Sequence, residues 1–127
     1  SERVITVGAY DSANISTVGF SGRGYTRATE YIKPDLVAPG VNILTTTVGE
    51  SITSFTGTSA AAPFVAGSAA LLMEWGIVDR NDIFLYGERL KAFLCNGAIR
   101  DNSREYPNRE WGYGRLCLKN TLDLLKK

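Results

Sequence analysis

Hydrophobic and polar positions divide the chain into a first half of short β-branched runs and a second half with helical spacing. The runs that predict strands lie at residues 4–10, 35–38, 41–47 and 51–56. They are separated by a polar turn at 11–14, a glycine-rich loop at 20–25 and a turn at Gly49-Glu50. Pro34 and Pro39 exclude a helix through the second of these runs.

The second half opens with a long apolar segment, Ala60–Trp75, which is apolar on nearly every helical face until Glu74. Gly76 is expected to close this helix, since glycine is the residue type that most often follows a helix C-terminus. A helix with so little polar surface must be buried all round, like the central helix of a layered α/β domain. The sequence therefore predicts an α/β fold built around this helix.

Two further helices are predicted, and together with the strands they make one structural unit over residues 1–127. The first follows the candidate caps Asp79, Asn81 and Asp82, has an apolar face of Leu85, Leu90, Phe93 and Leu94, and ends at Asn96-Gly97. The second is the amphipathic segment Leu118–Leu125. Between them lies a polar loop, Arg100–Glu110. Tyr106, Trp111 and Tyr113 either pack a corner of the core or line a groove.

Composition narrows the classes of partner. The 127 residues are 44% hydrophobic, enough for the core of one domain, and 14 basic against 13 acidic residues give a net charge of +1. Scattered charges argue against nucleic acid or an anionic membrane as partner, and no run reaches about 18 consecutive apolar residues. No cofactor or metal site is predicted. Cys95 and Cys117 are interpreted as two buried free thiols, with a single bridge between them left open.

The stretch TGTSAAAPFVAG, residues 56–67, places Ser59 where a strand gives way to a helix. In the first helical turn the backbone N–H groups are free and the positive end of the helix dipole faces outward. The N–H of Ser59 can then donate to an oxyanion that forms beside it. Gly57 leaves the approach open, and the small residues that follow let the helix nest against neighbouring strands.

A simpler interpretation stands beside this one. Serine and threonine are ordinary N-cap residues, small residues are ordinary in buried helices, and a serine is a poor nucleophile without a base. The chain contains no histidine. A Ser-Lys pair using Lys33 or Lys91 needs a desolvated lysine, and nothing in the sequence indicates one.

GTSAAAP followed by FVAGSAALL resembles the catalytic-serine motif of the subtilisin-like serine peptidases, the subtilases. VITVGAYDS, KPDLVAPGVNI and WGYGRLCLKNTL resemble three other family segments and occur in the family order, so that the resemblance covers nearly the whole chain. It implies a subtilisin-like α/β fold with a mostly parallel sheet and a buried central helix, present here only as its C-terminal portion. The chain would then be an incomplete catalytic domain.

The resemblance also implies roles for individual residues. Ser59 is the nucleophile, its own N–H is one oxyanion donor, Thr58 supports that site and Pro63 shapes the helix start. The triad order in subtilisins is Asp, His, Ser, so the first two members are expected before Ser1, which explains the absent histidine. Phe64 stands where many relatives carry histidine, and Ala60 stands where methionine is frequent. Asp35 lies in a segment that contributes to a weak cation site in some relatives; Lys33 is so close that the site is not carried over.

The resulting expectation is a serine endopeptidase that hydrolyses peptide bonds through an acyl-enzyme on Ser59. Its partners are a protein or peptide substrate and the N-terminal part of its own catalytic domain. The isolated chain is expected to be inactive and to aggregate, pair with itself or stay molten. Two alternatives remain open: a non-catalytic subtilase-like binding or regulatory protein, and a self-standing structural or interaction domain.

Overall fold

The computed structural model describes residues 3–19, 21, 24–25, 32–49 and 51–127. Its strands are β1 (Val7–Asp11), β2 (Ser16–Thr17), β3 (Gly24–Tyr25), β4 (Ile32–Lys33), β5 (Leu36–Pro39), β6 (Ile43–Thr47) and β7 (Ser51–Phe55). Its helices are α1 (Thr58–Met73), α2 (Gly87–Asn96) and α3 (Leu118–Leu125). Residues 20, 22 and 23 of the predicted glycine-rich loop, and Glu50 of the predicted turn, lie outside the described residues.

The central sheet has the order β2-β1-β5. β1 and β5 are parallel from Val7 opposite Leu36 to Tyr10 opposite Pro39, and β2 adds a short antiparallel edge. A further parallel bridge joins Val37 to Arg115, which follows the segment Trp111–Gly114. The pairings at the centre of the sheet are therefore parallel, as predicted. β1 begins at Val7 rather than at Val4.

The other strands form two antiparallel hairpins, β3-β4 and β6-β7. β6 and β7 pair from Ile43 opposite Phe55 to Thr47 opposite Ser51, close to the predicted strand limits. All five residues of β7 and four of the five in β6 are exposed. The β6-β7 hairpin therefore stands out from the core and is held mainly at its base.

One face of α1 packs against β1 and β5 and forms the centre of the core. Its buried residues recur at roughly helical spacing: Ala60, Ala61, Val65, Ser68 and Leu72. The sequence predicted burial on nearly every face, but Phe64 is 41% and Leu71 55% exposed in this chain. The difference arises because the described elements pack against a single side of the helix, so an apolar face of α1 is left uncovered.

Helix α1 does not end at Gly76, as the sequence predicted, but continues as a π-helical turn, Glu74–Val78. Gly76 is buried inside that turn, where a Cβ atom would lie 2.8 Å from the carbonyl oxygen of Asp82. Close backbone packing, and not a helix C-terminus, therefore requires glycine at this position.

The 21 residues Thr58–Val78 have a mean hydropathy of 1.5 over their most apolar window and are long enough to cross a membrane. Ser68 and Glu74 interrupt the apolar run, so a criterion of consecutive apolar residues passes over this helix. A core helix meets the same length and composition test, and α1 packs against two strands. Hydropathy alone is weak evidence for a membrane helix here.

Helix α2 starts later than predicted, at Gly87 after Tyr86. Asp82 caps the preceding turn instead, accepting from the Phe84 N–H at 3.2 Å and from the Arg89 side chain at 2.6 Å. The Arg89 hydrogen bond is the main reason that the pKa of Asp82 is lowered. The predicted apolar face is confirmed: Leu85, Leu90 and Leu94 are buried and Phe93 packs beside them. α3 has the predicted limits.

Trp111 packs a corner of the core, the favoured of the two interpretations. It is 2% exposed and its ring centre lies 5.7 Å from that of Tyr10. The Arg104 guanidinium lies 4.7 Å from the centre of the Trp111 ring. Both cysteines are free, as predicted, but only Cys95 is buried, and burial raises its pKa to about 11. Cys117 is partly exposed.

A buried ionic cluster joins the start of the chain to β5 and α2. Asp35 is 4% exposed, and its carboxylate lies 2.7 Å from the Lys33 ammonium and 3.2 Å from that of Lys91. The carboxylate also accepts from the Thr6 N–H at 2.7 Å, and both lysines donate to the carbonyl of Val4. Asp35 is thus the shared partner of two largely buried cations.

We expect Asp35→Asn to lower the free energy of unfolding by about 3–5 kcal/mol, because it leaves two buried ammonium groups without their carboxylate. Urea unfolding followed by circular dichroism measures the change. Asp123→Asn is the matched control, since Asp123 forms an exposed pair with Lys119 and its loss should cost about 0.5 kcal/mol or less. Equal effects of the two substitutions would contradict a stabilising role for the buried cluster.

Candidate active site

The turn that carries Ser59 is anchored to the core by a series of backbone hydrogen bonds. The Gly40 N–H donates to the carbonyl of Tyr10 in β1 at 3.0 Å, and the Gly57 N–H donates to the carbonyl of Gly40 at 2.8 Å. The Ala60 N–H then donates to the carbonyl of Gly57 at 3.0 Å. The start of α1 is therefore tied through Gly40 to the end of the central sheet.

The two glycines of this contact are required for different reasons, Gly40 by close packing and Gly57 by its backbone conformation. A Cβ atom at Gly40 would lie 2.6 Å from the Cβ of Ala9 and 2.8 Å from the carbonyl oxygen of Gly57. Gly57 has φ +156°, a conformation that residues with a side chain rarely adopt. A Cβ there would lie 3.6 Å from the Ser59 hydroxyl oxygen, so glycine also leaves the approach to that oxygen open.

Ser59 is the second residue of α1 and is exposed. Amides in the first turn of a helix lack an intrahelical carbonyl partner and lie at the positive end of the helix dipole. The hydroxyl and the free amide of Ser59 therefore occur together at an accessible helix start. Thr58, the first helical residue, is half-buried, and neither it nor Gly57 supplies a side-chain cap.

Pro63 lies in the second turn of α1, one turn further along than the sequence indicated. It has no N–H to donate to the carbonyl of Ser59, four residues earlier. It contributes instead to the wall of an open pocket of about 490 Å³ beside Ser59. The pocket is lined by Ile43, Leu44, Thr45, Phe55, Ser59, Ala60, Pro63 and Phe64.

Sequence reasoning missed the hairpin side of this pocket. The sequence pattern predicted two strands here and no pocket, yet β6 and β7 provide half of the wall beside Ser59. A signal was present in the sequence, since Leu44, Ile52 and Phe55 are apolar residues in otherwise polar strands. Leu44 and Phe55 line the pocket, whereas Ile52 is 72% exposed.

A base for Ser59 is not found among the residues that the structure describes. Lys33 and Lys91 are more buried than the sequence suggested, but both bind Asp35. Asp35, the partner of both lysines, lies five residues before Gly40 along the extended β5 segment. These two residues are therefore about 16 Å apart, and Gly40 is the one that contacts the turn of Ser59. Lys33 and Lys91 are therefore engaged with Asp35 and do not form the Ser-Lys pair considered from the sequence.

The Asp35 carboxylate is occupied by the ammonium groups of Lys33 and Lys91. Elsewhere in the described ranges, no three His, Cys, Asp or Glu side chains are close enough together to hold a metal ion. A larger cavity of about 640 Å³ lies near Trp75 and Phe84. Sixteen helical residues separate Trp75 from Ser59, about 24 Å, so this cavity is separate from the serine.

Comparison with known proteins adds the deciding observation. A model of the subtilase family matches residues 1–114 of the 127. The chain belongs to the subtilase family. Its architecture, a mixed α/β fold with a sheet and helices, is that of solved subtilisin-like proteases.

Solved subtilases align with this chain over nearly its full length. The CspB protease of Clostridium perfringens superposes with a TM-score of 0.95 and 51% sequence identity, covering 99% of this chain and 27% of the other. The patellamide maturation protease PatA superposes with a TM-score of 0.72 and 30% identity, covering 97% of this chain and 43% of the other. This subtilase chain therefore spans less than half of either structure.

Among curated sequences, serine protease AprX of Bacillus subtilis is 32% identical over 142 aligned positions, covering 96% of this chain and 30% of AprX. The match shows that this chain is similar to one segment of a longer protease. The relatives named here are all proteases.

We expect Gly40→Ala to lower the free energy of unfolding by about 1–3 kcal/mol, because the added methyl group overlaps Ala9 and the Gly57 carbonyl. Amide hydrogen exchange at Gly57 should accelerate as its bond to residue 40 weakens. Gly19→Ala is the control, since nothing lies within 4 Å of its new methyl group. An unchanged Gly57 exchange rate in Gly40→Ala would show that this contact does not hold the turn.

Proposed function

We propose that the protein is a serine endopeptidase that cleaves protein or peptide substrates through an acyl-enzyme on Ser59. The observation that carries the proposal is the position of Ser59 within the subtilase match: an exposed hydroxyl in the first turn of α1, beside an open pocket. The triad Asp and His are supplied by a preceding part of the same catalytic domain. Residues 1–127 are its C-terminal portion.

In this mechanism the Ser59 oxygen attacks the substrate carbonyl carbon while its proton passes to the histidine of the preceding part. The N–H of Ser59 donates to the oxyanion of the tetrahedral intermediate, with Thr58 supporting that site. The peptide C–N bond then breaks, and the leaving amine takes the proton from the histidine. Water then attacks the ester carbonyl carbon while the same base accepts its proton. The ester C–O bond breaks, the acid product leaves, and the base returns the proton to the Ser59 oxygen.

The chain alone is expected to be inactive because it lacks a general base. A positioned general base contributes about 10²–10⁴-fold, and one oxyanion donor about 10²–10³-fold. Residues 1–127 provide Ser59 and its amide but contain no histidine. Turnover therefore requires the preceding part of the domain.

The expected result of Ser59→Ala in the full-length protein is loss of peptidase activity and of labelling by a fluorophosphonate, a probe for activated serines. Mass spectrometry should locate the adduct on Ser59 in the full-length protein and find none in the isolated 127-residue chain. Ser54→Ala, an exposed serine of β7, is the control and should keep the adduct. A full-length protein that takes up no probe would support the non-catalytic binding or regulatory function instead.

The uncovered apolar face of α1 supports a preceding part of the domain as its partner. Phe64, Leu71 and Met73 are exposed on α1, and Leu44 and Ile52 are exposed on the β6-β7 hairpin. So large an apolar surface typically marks a contact. In the isolated chain it would lead to aggregation or self-pairing.

Leu71→Gln tests whether a preceding part of the domain covers this face of α1. The substitution should have different effects in the isolated chain and in the full-length protein. Leu71 is 55% exposed in this chain, so in the isolated chain we expect Leu71→Gln to leave the fold unchanged by circular dichroism and to reduce self-association by size-exclusion chromatography. In the full-length protein a covered Leu71 should cost about 2–5 kcal/mol when it is replaced, as measured by urea unfolding. Val48→Gln, at a 98% exposed position, should be neutral in both. An unchanged free energy of unfolding for Leu71→Gln in the full-length protein would support a self-standing interaction domain.

A further inference from the structure

Two hydrogen bonds join the base of the β6-β7 hairpin to the loop after β5. One is the backbone bond from the Gly57 N–H to the Gly40 carbonyl. The other uses a side chain: the Asn42 N–H donates to the Thr56 hydroxyl oxygen at 3.0 Å. Thr56 lies between the end of β7 and the turn that carries Ser59.

The Thr56 hydroxyl acts where the regular ladder of the hairpin stops. Ile43 and Phe55 form its last pair, so Asn42 and Thr56 are the next residues outward on the two strands. Asn42 has φ +53°, a left-handed conformation that breaks the extended geometry of a strand. The Thr56 side chain thus provides the acceptor for the Asn42 amide just beyond the end of the ladder.

The hairpin has few other restraints within the described part of the chain. β7 is exposed along its whole length, and most of β6 is exposed too. Its orientation relative to α1 therefore depends largely on its base. Gly57, the residue between Thr56 and the helix, has no side chain that could add a further contact to this base.

The same hairpin forms half of the pocket wall beside Ser59. Leu44 and Phe55 face Pro63 and Phe64 of α1 across the pocket. Ser59 itself is held by the helix, since Ala60 and Ala61 directly after it are buried. A change in the angle of the hairpin would alter the pocket while leaving the serine in place.

We propose that Thr56 is a positioning residue, whose hydroxyl holds the β6-β7 hairpin at the angle that forms the pocket wall beside Ser59. The inference rests on the proposed peptidase function and deepens it. Thr56 then affects how well an extended substrate fits beside Ser59, and it does not affect the reactivity of the serine.

The test compares Thr56→Val, Thr56→Ser and wild type in the full-length protein. Valine keeps the shape of threonine but removes the acceptor, whereas serine keeps the acceptor. For Thr56→Val we expect kcat/KM for fluorescein-labelled casein to fall about threefold to tenfold, since one hydrogen bond is lost. Labelling of Ser59 by a small fluorophosphonate should change less than twofold. Thr56→Ser should restore casein cleavage.

A second readout does not depend on activity. Amide hydrogen exchange at Asn42 should accelerate in Thr56→Val by a similar threefold to tenfold and return in Thr56→Ser. Thr53→Val, an exposed threonine of β7, controls for loss of a hydroxyl in the same hairpin and should match wild type in every assay.

The outcomes separate this inference from the proposed function. Wild type that takes up no fluorophosphonate overturns the peptidase function, and the exchange data still decide whether Thr56 holds the hairpin. Equal loss of casein cleavage and of labelling in Thr56→Val would show that Thr56 positions the serine, which overturns the inference. Unchanged casein cleavage and Asn42 exchange would overturn it as well.

Discussion

The contact between Gly40 and Gly57 is the constraint on which the site depends. It joins two loops, one at the end of β5 and one at the start of α1, at a separation that no side chain can enter. Packing of Ala60 and Ala61 fixes the helix on the sheet, and this contact fixes the turn to the end of the sheet. The accessible hydroxyl of Ser59 follows from backbone geometry more than from any side-chain interaction of its own.

The rest of the molecule divides into well-packed regions and regions with few contacts. Residues near β1 and β5, with the Asp35 cluster and Trp111, are held by burial, ion pairs and ring packing. The β6-β7 hairpin and the outer face of α1 have little cover in this chain. The hairpin and Phe64 of that outer face line the pocket beside Ser59, which suits the proposal that another part of the domain completes the site.

The sequence predicted the elements that local patterns determine. The limits of β5, β6 and β7 to within two residues, the α3 limits, the apolar face of α2 and the Ser59 turn follow from alternation, helical spacing and the motif. The predicted start of α2 was wrong because Asp82 caps a turn and not the helix. The predicted end of α1 was wrong because Gly76 is required by a close contact and not by a helix C-terminus. Such contacts are not local. The hairpin wall of the pocket was missed for the same reason. Burial on all sides of α1 was an inference from composition, and composition does not say which elements provide the cover.

The exposure of the β6-β7 hairpin has an evolutionary consequence. A hairpin that makes few contacts with the core can accept substitutions, or changes in length at its tip, with little penalty to folding. The glycine contact beneath it tolerates almost none. Variation among related proteases would then accumulate in this hairpin. Because the hairpin lines the pocket beside Ser59, their substrate preference would diverge while the proposed chemistry at the serine stays unchanged.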